Sequence, residues 1–140
     1  MSKQNFINIV KNKNFNPNVI KFLVESSIVD EYGKTILHYA CRYGSMPMLE
    51  LILSLNPTDK FICQKDIRGI SALDEGCWKG HDDVVNLLLQ ATSNFDVDKA
   101  LRITLKSNDS KKDSNVLCYD SIIKNLLIND ASVSIVENSR

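Results

Sequence analysis

The sequence predicts an all-α fold, a solenoid of stacked helix-turn-helix units joined by short hairpin-like turns. Three observations predict it. First, "DEYGKTILHYACRYG" (30–44) recurs as "DIRGISALDEGCWKG" (66–80): Asp30 falls on Asp66, Gly33 on Gly69, Thr35 on Ser71, Leu37 on Leu73, Cys41 on Cys77 and Gly44 on Gly80. Second, the register holds downstream, where "MLELIL" (48–53) lies over "VVNLLL" (84–89), again 36 positions on. Third, each copy carries apolar residues at helical spacing in stretches too short to persist as isolated helices. A fixed period of this size marks units that bury one another.

The elements follow in chain order. "NFINIVKN" reads as a helix, and "NPNVIKFLVESSIV" (16–29) as the second helix of an N-terminal unit. The next unit opens with D-x-x-G, a tight turn in which Asp30 bonds its own backbone and Gly33 takes a left-handed conformation. Thr35 suits a helix N-cap. A short helix then puts Leu37, Ala40 and Cys41 on one face and Arg42 and Tyr43 on the other, and Gly44 ends it. Leu49, Ile52 and Leu53 line a second helix, after which "SLNPTDKFICQ" (54–64) reads as a modified loop, with Pro57 ending the helix. The third unit repeats the scheme with Ser71 as cap, Gly80 as stop and Val84, Val85, Leu88 and Leu89 on its second helix.

The last unit is less regular. "DKALRITLKSND" (98–109) reads as a first helix and "SNDSKKDSN" (107–115) as a polar loop. Val116, Tyr119, Ile123 and Leu126/Leu127 keep a helical spacing, so the final helix starts early, and "DSIIKNLLINDASVS" (120–134) ends in a closing turn.

These motifs resemble the ankyrin repeat family, whose pattern runs from a D-x-x-G turn through T-P-L-H-x-A, a G-H turn and V-V-x-L-L to a G-A-D closure. The resemblance implies an ankyrin-repeat solenoid over 1–140, a single domain of units near 1–29, 30–65, 66–97 and 98–140. The chain departs from the pattern where Ile36 and Ala72 replace the proline, and where Asp74 stands for the histidine matched by His38. The resemblance gives His38 and His81 structural roles. Cross-repeat bonding must differ at Asp74.

Composition excludes several function classes. The 140 residues hold 17 basic and 17 acidic side chains, so no global charge recruits nucleic acid or an anionic membrane. Residues 1–70 carry nine Lys/Arg against six Asp/Glu, and residues 71–140 eight against eleven, a mild dipole. No apolar run approaches the ~20 residues that span a bilayer, and "MSKQNFINIVKNKN" is too polar for a signal-peptide core. Membrane insertion is not expected. Cys41, Cys63, Cys77 and Cys118 show no C-x-x-C spacing, which predicts reduced thiols in an intracellular, cytoplasmic protein, with the nucleus also open.

The candidate chemistry is thin. His38 and Cys41 share a helix face, but Cys41 recurs as Cys77 at the same repeat phase, as a packing residue does and a nucleophile need not. Two histidines and four dispersed cysteines do not make a close four-ligand zinc set. Asp82 and Asp83 favour the positive end of the helix they precede, and no phosphate-cradling glycine loop occurs. No catalytic residue, metal or cofactor is therefore expected, and the chain is read as no enzyme. Lys99, Arg102, Lys106, Lys111 and Lys112 read as a solvated basic face, with an acidic partner as the sharper alternative.

What remains is surface. In an ankyrin-like stack the turn tips and the outer face of each first helix line a concave groove, the side the family generally uses for binding. That face maps to Glu31, Tyr32, Lys34, Arg42 and Tyr43, then Ile67, Arg68, Ile70, Trp78 and Lys79, then Lys106 and Ser107. Aromatic residues and arginines carry much of the energy of interfaces. The expectation is a non-catalytic, monomeric module that binds another protein through Tyr32, Lys34, Arg42, Tyr43, Ile67, Arg68, Ile70, Trp78 and Lys79. An alternative makes the chain the N-terminal targeting region of a larger enzyme or effector. A second rival is a small thiol or metal protein.

Overall fold

The computed structural model describes residues 1–12, 14–110 and 116–128, with the side chains of 108–110 and 116–118 outside that description. Among the described residues there are nine helices and no strand. They are α1 (Lys3–Lys11), α2 (Pro17–Glu25), α3 (Ile36–Arg42), α4 (Met46–Ser54), α5 (Asp59–Ile62), α6 (Ala72–Lys79), α7 (Asp82–Ala91), α8 (Val97–Ser110) and α9 (Val116–Ile128). Two layers result. In one, α1 packs on α3, α3 on α6 and α6 on α8; in the other, α2 packs on α4, α4 on α7 and α7 on α9. The core lies between the layers, with Leu37, Met48, Leu49 and Ile52 of one helix pair and Leu73, Val84, Val85 and Leu88 of the next fully buried.

Local chemistry sets each boundary. Asp30 Oδ1 accepts from the backbone N–H groups of Tyr32 and Lys34, both at 2.9 Å. Asp66 Oδ1 accepts from Arg68 and Ile70 at 2.8 and 2.9 Å. Gly33 and Gly69 take φ of 77° and 80°, the left-handed region that each turn requires. The two turns also bond directly, Ile67 N–H donating to Tyr32 O at 3.0 Å. Thr35 and Ser71 are the N-caps of α3 and α6, as the spacing predicts.

A second set of contacts joins neighbouring pairs behind the first helices. His81 Nε2 bonds Arg42 O at 3.0 Å, and its ring lies against Gly44, where an added Cβ would sit 2.8 Å from Nδ1. One unit later Tyr119 does the same work. Its hydroxyl donates to Trp78 O at 3.0 Å, and its ring approaches Gly80, where a Cβ would sit 2.9 Å from the ring. Arg42 and Trp78 occupy equivalent positions. Tyrosine and histidine therefore serve one function: each reaches the last carbonyls of the preceding first helix.

Two sequence expectations shift. The 54–64 stretch is more than a loop: after Asn56 at φ 52°, Thr58 caps α5 and buries Phe61 and Ile62 in the core. The first helix of the last pair runs through Ser110, so residues 107–110 are helical, and 111–115 lie outside the described residues. The final helix does start at Val116, whereas the expected closing turn at 129–134 falls outside the described residues. Among the described residues no helix is long and apolar enough to cross a membrane.

Candidate functional site

Residues of the 30–34 and 66–70 turns, together with α1, α3, α6 and α8, line a groove of about 680 Å³. The groove brings together Tyr32, Lys34, Arg42, Ile67, Arg68, Ile70 and Trp78, all expected on this face, along with Lys106 and Ser107. Its lining does not include Glu31, Tyr43 or Lys79, which the sequence maps to the same face. Tyr43 instead sits beside α1 with Lys11 Nζ 5.1 Å from its ring centroid, and Lys79 Nζ covers the Trp78 ring at 4.2 Å. Tyr32, Trp78 and Ile67 are 40%, 42% and 72% exposed, well outside the core. Trp78 also stacks under the Arg42 guanidinium at 5.4 Å.

The floor of the groove is ionic, and of its three groups the expected contact set contains only Lys34. Lys34 Nζ lies 2.5 Å from Asp66 Oδ2 and 2.6 Å from Glu75 Oε1, with the three side chains 12%, 2% and 5% exposed. Burial works against the Lys34 charge, but the hydrogen bonds to Asp66 and Glu75 outweigh it and hold its pKa above the usual lysine value. Burial likewise opposes ionisation of Asp66, and Lys34 with two backbone N–H groups overcomes it, leaving the carboxyl below its usual range. Lys34 thus lines the groove as a brace between two turns and a helix. Arg42 Nε faces Glu75 Oε2 at 3.7 Å, and that oxygen has no hydrogen-bond donor among the described residues.

The histidine position shows how the two central units differ. Thr35 N–H donates to His38 Nδ1 at 3.0 Å, so Nε2 carries the ring proton and donates to Ile70 O, also at 3.0 Å. His38 therefore caps its own helix and ties it to the next turn. Asp74 keeps the first task, accepting from Ser71 N–H at 3.0 Å, but is too short for the second. Lys99 of α8 takes over: Nζ lies 3.7 Å from Asp74 Oδ2 and donates to Gly69 O. Lys99 is consequently a structural link and no part of a purely solvated basic face.

Burial sets the direction for His38, Cys41 and Cys77. It holds the His38 pKa below the ordinary histidine value, with the backbone bond to Ile70 only partly opposing it. As pH falls through about 6.5, the unfolded chain takes up a proton that folded His38 refuses, so stability declines. Urea unfolding from about pH 7.5 to 5.5 should show that decline, and His38→Gln should remove its histidine-linked part while retaining the cap. The same slope in the variant would contradict the assignment. Cys41 and Cys77 are fully buried, and burial raises both thiols, Cys77 to about 12. Thiols held protonated are poor nucleophiles and poor metal ligands. Among the described residues no group of three or more His, Cys, Asp and Glu could hold a metal ion.

Sequence reasoning missed Lys3, Tyr39, Asp66, Asp74, Glu75 and Ile103 as groove residues. The repeat register itself could have signalled Asp66 and Glu75, since Asp66 opens a turn already located and Glu75 follows the Ser71 cap. Lys3 and Ile103 come from end units that lack the motif. The family model described as ankyrin repeats (3 copies) matches residues 6–100, from α1 to the first turn of α8.

Proposed function

We propose, for a chain that belongs to the ankyrin repeat family, that this protein is a non-catalytic docking module whose concave groove holds a partner protein. Ankyrin repeats generally serve as protein–protein interaction modules, and four units near 1–29, 30–65, 66–97 and 98–140 would make one continuous stack. The observation that carries the reading is the gathering of Tyr32, Ile67 and Trp78, exposed and apolar, around one groove whose floor is already braced. Aromatic anchors on a rigid support bind with little ordering cost on the module's side.

Capture of a partner from the native cell, followed by its identification, tests this. Trp78→Ala and Tyr32→Ala should each abolish capture while leaving helical circular dichroism and melting temperature nearly unchanged. Arg42→Glu is not a clean probe, because it would set a second carboxylate against buried Glu75. Capture that persists unaltered in both aromatic variants would overturn the groove assignment.

A further inference from the structure

Charge on the groove face is sorted by depth. Its carboxylates are buried and committed: Asp30 to its turn and to the Tyr39 hydroxyl, Asp66 to its turn and to Lys34, Asp74 to the α6 cap, Glu75 Oε1 to Lys34. Lys34 lies among them at the floor, and other cations stand nearer the rim, where Arg68 and Lys106 are exposed and Lys3 is half-buried. One exposed acid, Glu31, accepts from the Lys3 backbone N–H at 3.2 Å. A chain with equal numbers of acids and bases therefore presents a cationic rim over a floor whose carboxylates are paired by Lys34 and Arg42.

The aromatic rings carry the same sign. Lys3 Nζ lies 5.7 Å from the Tyr32 centroid, and Arg42 and Lys79 both approach Trp78. A cationic partner would meet π faces already occupied by cations, whereas a carboxylate would meet the cations themselves. At the floor, Glu75 Oε2 is buried, faces Arg42 Nε at 3.7 Å and has no hydrogen-bond donor among the described residues. Such an atom favours a ligand that brings an N–H.

We propose that the groove receives an extended acidic peptide segment of a partner protein, its carboxylates on Lys3, Arg68 and Lys106 and a backbone N–H on Glu75 Oε2. A nucleic-acid strand has the right charge at the rim, but its phosphate groups offer no donor to Glu75 Oε2. The inference rests on the docking reading above and narrows it to one class of ligand.

Fluorescence anisotropy would test it with a labelled peptide of alternating glutamate and leucine, its glutamine counterpart, and oligothymidylate of equal charge. The acidic peptide should bind at least about tenfold more tightly than the glutamine peptide, and should also perturb the emission of Trp78, the sole tryptophan. Arg68→Glu should remove that preference, while Lys60→Glu, at an exposed position of α5 outside the groove, should not. Equal binding of the two peptides, binding of neither, equal loss in the two variants, or tighter binding of oligothymidylate would each overturn the proposal. If those arms fail while Trp78→Ala still abolishes capture of the cellular partner, only the acidic preference falls. If Trp78→Ala and Tyr32→Ala also leave capture intact, the docking reading falls with it.

Discussion

Lys34→Met is expected to lower the unfolding free energy by about 3–5 kcal/mol, the cost of leaving a buried charge without its partner. The ammonium bonds Asp66 Oδ2 at 2.5 Å and Glu75 Oε1 at 2.6 Å, where little water reaches any of the three groups. Removing it leaves two carboxylates buried and facing each other. Glu75 is the more exposed to this loss, because Asp66 retains its backbone donors from Arg68 and Ile70. The double variant Lys34→Met with Glu75→Leu should recover much of the loss, since a well-packed apolar pair often replaces an ion pair at no net cost. Urea unfolding at neutral pH is the measurement. A single variant as stable as the parent would show that Lys34 does not brace the turns.

Leu37→Ala and Leu73→Ala should each cost about 2–5 kcal/mol, through lost burial and the cavity left behind. Both side chains are fully buried, and both occupy the same position of the repeat. Equivalent surroundings predict penalties within about 1 kcal/mol of each other, a smaller gap than the spread usually seen among unrelated core leucines. A surface-like cost at either site, or a gap of several kcal/mol between the two, would contradict the stacking of like units.

The repeat register made most of this architecture legible. Asp30 and Asp66, Gly33 and Gly69, and Thr35 and Ser71 are local devices, whose turns and caps depend on residues within four positions. The positions of Tyr32, Ile67 and Trp78 on the groove follow from the same phase. Contacts between units are less legible, because the partner lies 25 to 41 residues away and the chemistry can change hands. Tyr119 does for Trp78 what His81 does for Arg42, and Lys99 supplies the link that Asp74 cannot. Neither substitution breaks helical spacing, so neither announces itself. Lys34 is the clearest case: a lysine at a turn tip reads as solvated, and only the spacing of two adjacent turns reveals two carboxylates within reach of it. The α5 turn was hidden for a different reason. Four residues are too few to carry a period, although Thr58 before an acidic residue and Phe61–Ile62 is a capped start in miniature.

Separating the braced layer from the binding layer is the core of this account, and partner titration of isotope-labelled protein followed by amide and indole resonances examines it most directly. The account predicts shifts at the 30–34 and 66–70 turns and at the Trp78 indole, with the outer faces of α2, α4 and α7 unmoved. Shifts confined to α2, α4 and α7, with the turns and Trp78 silent, would place the partner on the opposite side and contradict it.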